Sequence, residues 1–144
     1  MIARLEKVMV AGRSGPTLAG GPPEAADRRP GFEVIRAAFL AKRDLARAEL
    51  EKTGVTFDAP TDGTFYAWGD LSRLPPPFNT GMGFFRKALE AKVIVVPGEF
   101  FDVNPGRRRA GKFSRFRSHA RFSFGPRESD VREGLSRLAA LVRR

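Results

Sequence analysis

Hydrophobic positions recur along this chain with two different periods, and the periods predict its regular elements. Apolar residues spaced three and four apart predict helices over residues 2–10, 32–53, 82–91 and 130–143. Alternating or continuous apolar runs predict strands over 55–58, 64–69, 93–96 and 119–124, with 99–103 extending along a sheet edge. Paired strands between helices indicate an α+β fold, in which helices cover a small, mostly antiparallel sheet.

Glycine and proline divide the chain into two parts. Nine of the residues from 11 to 31 are glycine or proline, which breaks any regular element. We therefore expect an N-terminal arm and Gly/Pro-rich linker over residues 1–32 and one domain over residues 33–144. Within the domain, Gly54 stops the first helix, Pro97 and Gly98 stop the third strand, and Ser129 is the expected N-cap of the last helix.

The rare residue types exclude several kinds of site. The 144 residues contain no cysteine, which excludes disulfides, thiolate metal sites and a cysteine nucleophile. His119 is the one histidine, so a multi-histidine metal site cannot form within the chain, and we expect no metal. No apolar run approaches the roughly 18 residues of a membrane span, and the N-terminus lacks the apolar core of a secretory signal. A cytoplasmic location without membrane contact is the expectation.

The positive charge is concentrated in one segment. The formal net charge is +10, and residues 103–127 contain eight basic residues and no acidic one. A basic loop over 104–118 could bind nucleic acid or an acidic partner, with Phe113 and Phe116 stacking on bases. Its cations for that hypothesis are Arg107, Arg108, Arg109, Lys112, Arg115 and Arg117. A solvated loop is the other interpretation, because no known nucleic-acid motif surrounds these residues and nucleic acid is not the expected partner.

The strand predicted over 119–124 separates apolar from polar side chains. Phe122 and Phe124 share one face and anchor the strand, while His119, Arg121 and Ser123 share the other. A guanidinium in a cleft needs an anionic partner and can hold a carboxylate through two parallel hydrogen bonds. The pattern alone is also consistent with an exposed arginine on a half-solvated sheet.

Four stretches together resemble one enzyme family. They are AAFLAKRDLARAELEKTGVTFDAPTDGTFY (37–66), GTFYAWGDLS (63–72), FFRKALEAKVIVVPGEFF (84–101) and ARFSFGPRESDVREGLSRLAALV (120–142). In this order they resemble the C-terminal, small domain of class I/II pyridoxal-phosphate-dependent aminotransferases, which share the aspartate aminotransferase fold. The resemblance covers roughly residues 33–144 and includes the Gly-x-Phe-Tyr strand at residues 63–66.

The resemblance implies a site for an amino acid or 2-oxo acid. Arg121 matches the family's arginine that holds the substrate α-carboxylate, and residues near the substrate entrance match Phe65, Tyr66, Trp68, Pro97, Gly98 and Phe100. The family's cofactor domain, with its Schiff-base lysine, has no counterpart in this sequence. None of the six lysines lies in the family's lysine motif, so we expect no covalent attachment of pyridoxal phosphate here.

The resemblance therefore leaves three hypotheses about the chain. It could be part of an aminotransferase whose site is completed by a separate large domain or a homodimer partner. It could be a domain reused as a basic binding module. It could also be a truncated relic without catalytic activity.

Overall fold

The fold was analysed in a computed structural model, which describes residues 30–103 and 114–143. Its elements are α1 (Pro30–Glu51), β1 (Tyr66–Asp70), α2 (Gly81–Glu90), β2 (Val96–Pro97), a 3₁₀ turn (Gly98–Phe101), β3 (His119–Ser123) and α3 (Glu128–Val142). The helix predicted over 2–10, most of the linker and residues 104–113 of the basic loop lie outside the described residues. Pro30 and Gly31, which the sequence assigned to the linker, instead form the first turn of α1.

The three strands form one antiparallel sheet in the order β1-β3-β2, which confirms the α+β class. Strand β3 is central, and its Arg121 lies opposite both Trp68 of β1 and Val96 of β2. Burial alternates along β1 and β3, so the sheet has one buried face and one half-exposed face. The candidate polar residues of β3 therefore all lie on the half-exposed face.

The buried face of the sheet packs against the helices. Phe122 and Phe124 are each 1% exposed, as the alternation predicted, and the ring of Phe84 from α2 meets Phe122 edge-to-face at 5.7 Å. Helix α3 contributes buried residues, among them Val131, Leu135 and Leu138. Each large apolar side chain buried here stabilises the fold by about 1.5–3 kcal/mol before other costs.

The apolar repeat in the first turns of α1 is exposed. Phe32 and Ile35 belong to the helical spacing of apolar residues but are 41% and 58% exposed. Packing begins at Phe39 and becomes complete at Ala46 and Leu50. Helical periodicity identifies an apolar face but does not show what covers it, and the described elements cover only the C-terminal part of this face.

Two predicted strands are shorter than expected and one is wrong. Residues 55–58 make only a single bridge, between Thr56 and Asp70, and of residues 93–96 only Val96 pairs with β3. Val93 and Val95 are nonetheless buried, which explains their apolar character. Residues 98–101 turn in a 3₁₀ helix in place of the predicted edge strand.

Helix α2 begins behind a residue whose side chain caps it, whereas helix α3 begins behind a residue whose side chain does not. Gly81 and Gly83 lie in the first turn of α2, behind the N-cap Thr80, whose hydroxyl accepts a hydrogen bond from the amide of Gly83 at 3.1 Å. A Cβ on Gly83 would lie 2.0 Å from the carbonyl oxygen of Pro77, so glycine is required there for close backbone approach. Ser129 was expected to cap α3, but the helix begins at Glu128 behind Arg127.

Lys42 links α1 to the turn that follows β3. Its Nζ donates to the carbonyl oxygens of Gly125 and Pro126 at 3.1 and 2.8 Å. Burial lowers the pKa of Lys42 below its ordinary 10.5, while the negative charge of Glu128 opposes the shift. Lys42 therefore fixes the position of the chain just after the central strand β3.

The lowered pKa of Lys42 predicts a pH dependence of stability. Between the folded pKa and 10.5, the unfolded chain binds more protons at this residue than the folded chain does. The free energy of unfolding should therefore rise with pH across this alkaline window, by an amount that Lys42→Met removes. Urea unfolding from pH 7 to 10.5 measures it, with Lys52→Met, which removes an exposed lysine paired with Glu49, as the control. A constant difference between wild type and Lys42→Met would show that the pKa is not lowered.

Candidate carboxylate-binding site

The half-exposed face of the sheet gathers four of the residues that the sequence singled out. Strand β1 places Tyr66 and Trp68 on this face, and β3 places His119 and Arg121 there. The antiparallel register sets Trp68 directly opposite Arg121. Because directly opposed side chains on one face of a sheet are neighbours, the fold brings the predicted arginine and two predicted aromatic residues into one cluster.

The guanidinium of Arg121 is in contact with two aromatic rings. Its central carbon is 5.0 Å from the ring centroid of Tyr66 and 4.9 Å from that of Phe101. Contacts of this kind each contribute about 0.5–1 kcal/mol at exposed sites and about 2 kcal/mol when desolvated. The rings hold the cation without using its N–H groups.

Arg121 has no anionic partner among the described residues. Its Nε is buried and has no hydrogen-bond partner there. Other arginines of the domain do have acidic partners, as Arg127 has Asp130, Arg132 has Glu128 and Arg137 has Glu133. A partly buried guanidinium without a carboxylate is costly. Within the described residues, the charge of Arg121 is therefore not neutralised by a carboxylate.

A second layer of rings supports the cluster. Trp68 meets Phe101 edge-to-face at 5.5 Å and Phe116 at 5.3 Å, and it stacks on His119 at 5.7 Å. Phe101 is not among the site residues predicted from the sequence. Phe116 is predicted there only as a base-stacking residue of the basic loop. The one available signal for Phe116 was an aromatic residue placed among cations close to the strand.

The remaining predicted site residues differ in their positions. Phe65 precedes β1, is 40% exposed and contacts the ring of Tyr66 edge-to-face at 5.6 Å. Gly98 is buried at the start of the 3₁₀ turn, where a Cβ would lie 2.5 Å from the carbonyl oxygen of Phe116, and Pro97 beside it is buried in β2. Phe100 is 65% exposed, and no ring contact joins it to the cluster in the described part of the chain.

His119 borders the cluster on the other side of Trp68. Its Nε2 lies 4.0 Å from a carboxylate oxygen of Asp58, and its Nδ1 is buried without a hydrogen-bond partner among the described residues. The loop that carries Asp58 lines a cavity of about 320 Å³ whose wall also includes Tyr66 and Trp68. This cavity therefore adjoins Tyr66, one of the two rings that contact Arg121.

The basic residues of the nucleic-acid hypothesis do not join this cluster as far as the structure describes them. Arg115 and Arg117 are exposed. Arg107, Arg108, Arg109 and Lys112 lie outside the described residues. Across residues 30–103 and 114–143, no group of His, Asp or Glu side chains could hold a metal ion. In the same segments no helix has the length and apolar character of a membrane span.

Comparisons with known proteins agree on one fold. A Mycobacterium tuberculosis protein named as a valine–pyruvate aminotransferase is 30% identical over 105 residues, which cover 72% of this chain. A crystal structure of an aminotransferase from the same organism aligns with 84% of the chain at 28% identity and a TM-score of 0.63. The Thermus thermophilus aspartate aminotransferase solved with maleate aligns with 83% at 28% identity and a TM-score of 0.62. No family model matches the chain.

The matches cover only part of each relative. The chain spans 24% of the curated protein and 27% of each of the two solved chains. The matched part of this chain includes the helices and the three-stranded antiparallel sheet described above. The chain therefore has the sequence pattern and the fold of the C-terminal, small domain of the aminotransferases that share the aspartate aminotransferase fold.

Proposed function

We propose that this chain binds the α-carboxylate of an amino acid or 2-oxo acid through Arg121, as the small-domain part of a pyridoxal-phosphate-dependent aminotransferase. The observation that carries the proposal is the state of Arg121, whose guanidinium is held by two rings and has no anionic partner in the described segments. The domain provides a cation at a fixed position and leaves its charge uncompensated.

A carboxylate is the ligand whose chemistry fits best. The guanidinium presents pairs of parallel N–H groups at the spacing of two carboxylate oxygens, and such charge-assisted bonds are about twice as strong as neutral ones. Tyr66 and Phe101 lie against the guanidinium and reduce its contact with water, which strengthens an electrostatic contact made by its N–H groups. An amino acid and its 2-oxo acid share this carboxylate, so the site would accept both partners of a transamination.

The adjoining cavity provides space for the remainder of such a ligand. It has a volume of about 320 Å³ and is lined by residues 58–64 together with Tyr66 and Trp68. Its wall combines two rings with hydroxyl and carboxylate side chains, which suits a small polar molecule. The substrate side chain would be selected by this wall and by the domain or partner subunit that completes the site.

We expect no covalent attachment of pyridoxal phosphate to this chain, because none of its lysines lies in the family's lysine motif. Among the described lysines, Lys42 binds backbone carbonyls, Lys52 binds Glu49 and Lys87 binds Glu90. The cofactor would be held by the large domain, which corresponds to the part of the relatives that this chain does not span. When bound, it would supply the electron sink that transamination needs.

The named relatives support this proposal by the ligands in their names. One is named for valine and pyruvate, and another was solved with maleate. All three molecules carry carboxylates. Their aminotransferase names support transfer of an amino group as the activity of the complete enzyme. The small share of each relative that this chain covers supports completion of the site by a further domain.

A titration with a ligand and its ester tests the carboxylate role. Pyruvate should shift the side-chain NMR signals of Arg121 in the whole chain, with an apparent dissociation constant on the order of millimolar. Methyl pyruvate, which keeps the ketone but has no carboxylate, should leave them unchanged. An equal response to the two compounds would contradict recognition of the carboxylate.

A further inference from the structure

The environment of Arg121 separates its nitrogens into two kinds. Nε is buried and has no hydrogen-bond partner among the described residues. The two terminal nitrogens are not among the buried unbonded atoms, and nothing in the described segments accepts a hydrogen bond from them. A ligand arriving from solvent therefore reaches Nη1 and Nη2 and does not reach Nε.

We propose that Phe101 and Trp68 are positioning residues that hold Arg121 so that a carboxylate binds end-on, through Nη1 and Nη2, while Nε stays unbonded. The identity of the ligand rests on the proposed function, but the positioning of the guanidinium does not. Phe101 lies on one side of the guanidinium and contacts it directly, and Trp68 acts through Phe101.

The position of Phe101 depends on close backbone packing. Phe101 ends the 3₁₀ turn that begins at Gly98. A Cβ at Gly98 would lie 2.5 Å from the carbonyl oxygen of Phe116 and 2.8 Å from that of His119, so only glycine allows the turn to start this close to β3. Trp68 then meets the ring of Phe101 edge-to-face, and its contact with Phe116 fixes the indole in turn. These contacts define the plane of the ring that faces Arg121.

Aromatic rings are better suited than an acidic side chain to orient the guanidinium of Arg121 for a ligand. A carboxylate beside Arg121 would form a bidentate pair with it and compete with the ligand for the same N–H groups. An aromatic ring attracts the face of the guanidinium through its quadrupole and leaves the in-plane donors free. The cluster therefore orients the cation before the ligand arrives and lowers the ordering cost of binding.

Arginine side-chain NMR of the ligand-free chain tests the positioning. In wild type, Arg121 Nε–H should give one sharp, ring-shifted signal. Phe101→Leu and Trp68→Leu should broaden or average that signal, and Phe101→Tyr should restore it because the ring is kept. Phe32→Leu is the control, since it removes a 41% exposed ring on α1 that the site does not include. An unchanged Nε–H signal in Phe101→Leu overturns the positioning role, whatever the ligand is.

Addition of pyruvate to the same samples tests the end-on mode. We expect the Nη signals of Arg121 to shift and the Nε signal to stay close to its ligand-free position. Phe101→Leu should weaken the affinity about threefold to tenfold, and Phe32→Leu should not. A dominant shift at Nε overturns the end-on mode. No response at any Arg121 nitrogen overturns the proposed function and the end-on mode together, while the ligand-free spectra still decide the positioning of the guanidinium.

Discussion

Replacing Phe122 by alanine is expected to lower the free energy of unfolding by about 3–5 kcal/mol. The ring is 1% exposed, lies on the central strand and meets Phe84 of α2 edge-to-face. The backbone of Gly69 packs directly on it, because a Cβ there would lie 2.9 Å from Cε2 of Phe122. Deleting the ring therefore removes its burial and leaves a cavity that the rigid strands cannot close.

The size of this loss matters because the total stability of a domain is small, about 5–15 kcal/mol. Urea unfolding followed by circular dichroism measures it, and a substantial unfolded fraction of Phe122→Ala is expected near body temperature. Phe100→Ala is the control, because its ring is 65% exposed and a surface change of this kind alters stability by about 0.5 kcal/mol or less. A loss below about 1 kcal/mol for Phe122→Ala would place the ring outside the core.

Alternation along one strand made the central feature of the fold predictable from sequence. A strand places neighbouring residues on opposite faces, so HARFSF predicts buried Phe122 and Phe124 on one face and Arg121 on the other. The structure confirms this pattern. The signal is strong because two apolar residues that are two positions apart, such as Phe122 and Phe124, lie on the same face of a strand but not on the same face of a helix.

The contacts around Arg121 were less predictable because they come from distant parts of the chain. The run GEFFDV fits an edge strand as well as a turn when it is taken alone. The close approach of Gly98 to the backbone of His119 requires the pairing of β2 with β3, and that pairing carries Phe101 to the guanidinium. A short apolar run does not specify such long-range pairing, so the contact between Phe101 and Arg121 could not be predicted from the sequence.

The basic residues of this segment differ in burial, although the sequence alone does not distinguish them. Eight basic residues stand between positions 103 and 127. Arg115 is exposed, whereas Arg121 has a buried Nε and two rings against its guanidinium. An exposed charge is screened by salt and contributes little to specific binding, but a desolvated guanidinium can hold one ligand in a defined orientation. This contrast gives Arg115 the role of a control for Arg121.

Arg121→Gln should weaken pyruvate binding at least about thirtyfold, because loss of one partner of a partly buried, hydrogen-bonded charge pair costs about 2–5 kcal/mol. The fold should persist, since the side chain lies on the half-exposed face of β3 and has no ion pair with the described residues. Isothermal titration calorimetry with the whole chain, together with the pyruvate NMR titration, measures the loss.

Two further variants separate charge from geometry in this experiment. Arg115→Gln removes the same formal charge from an exposed residue of the same segment, and we expect it to change the affinity less than about twofold. Arg121→Lys keeps the charge but loses the planar pair of donors, and a loss of at least about tenfold is expected from it. If Arg115→Gln and Arg121→Gln weaken binding equally, pyruvate responds to the general positive field and not to the guanidinium held by Tyr66 and Phe101. If Arg121→Lys binds as well as wild type, charge alone is sufficient and the bidentate geometry has no role.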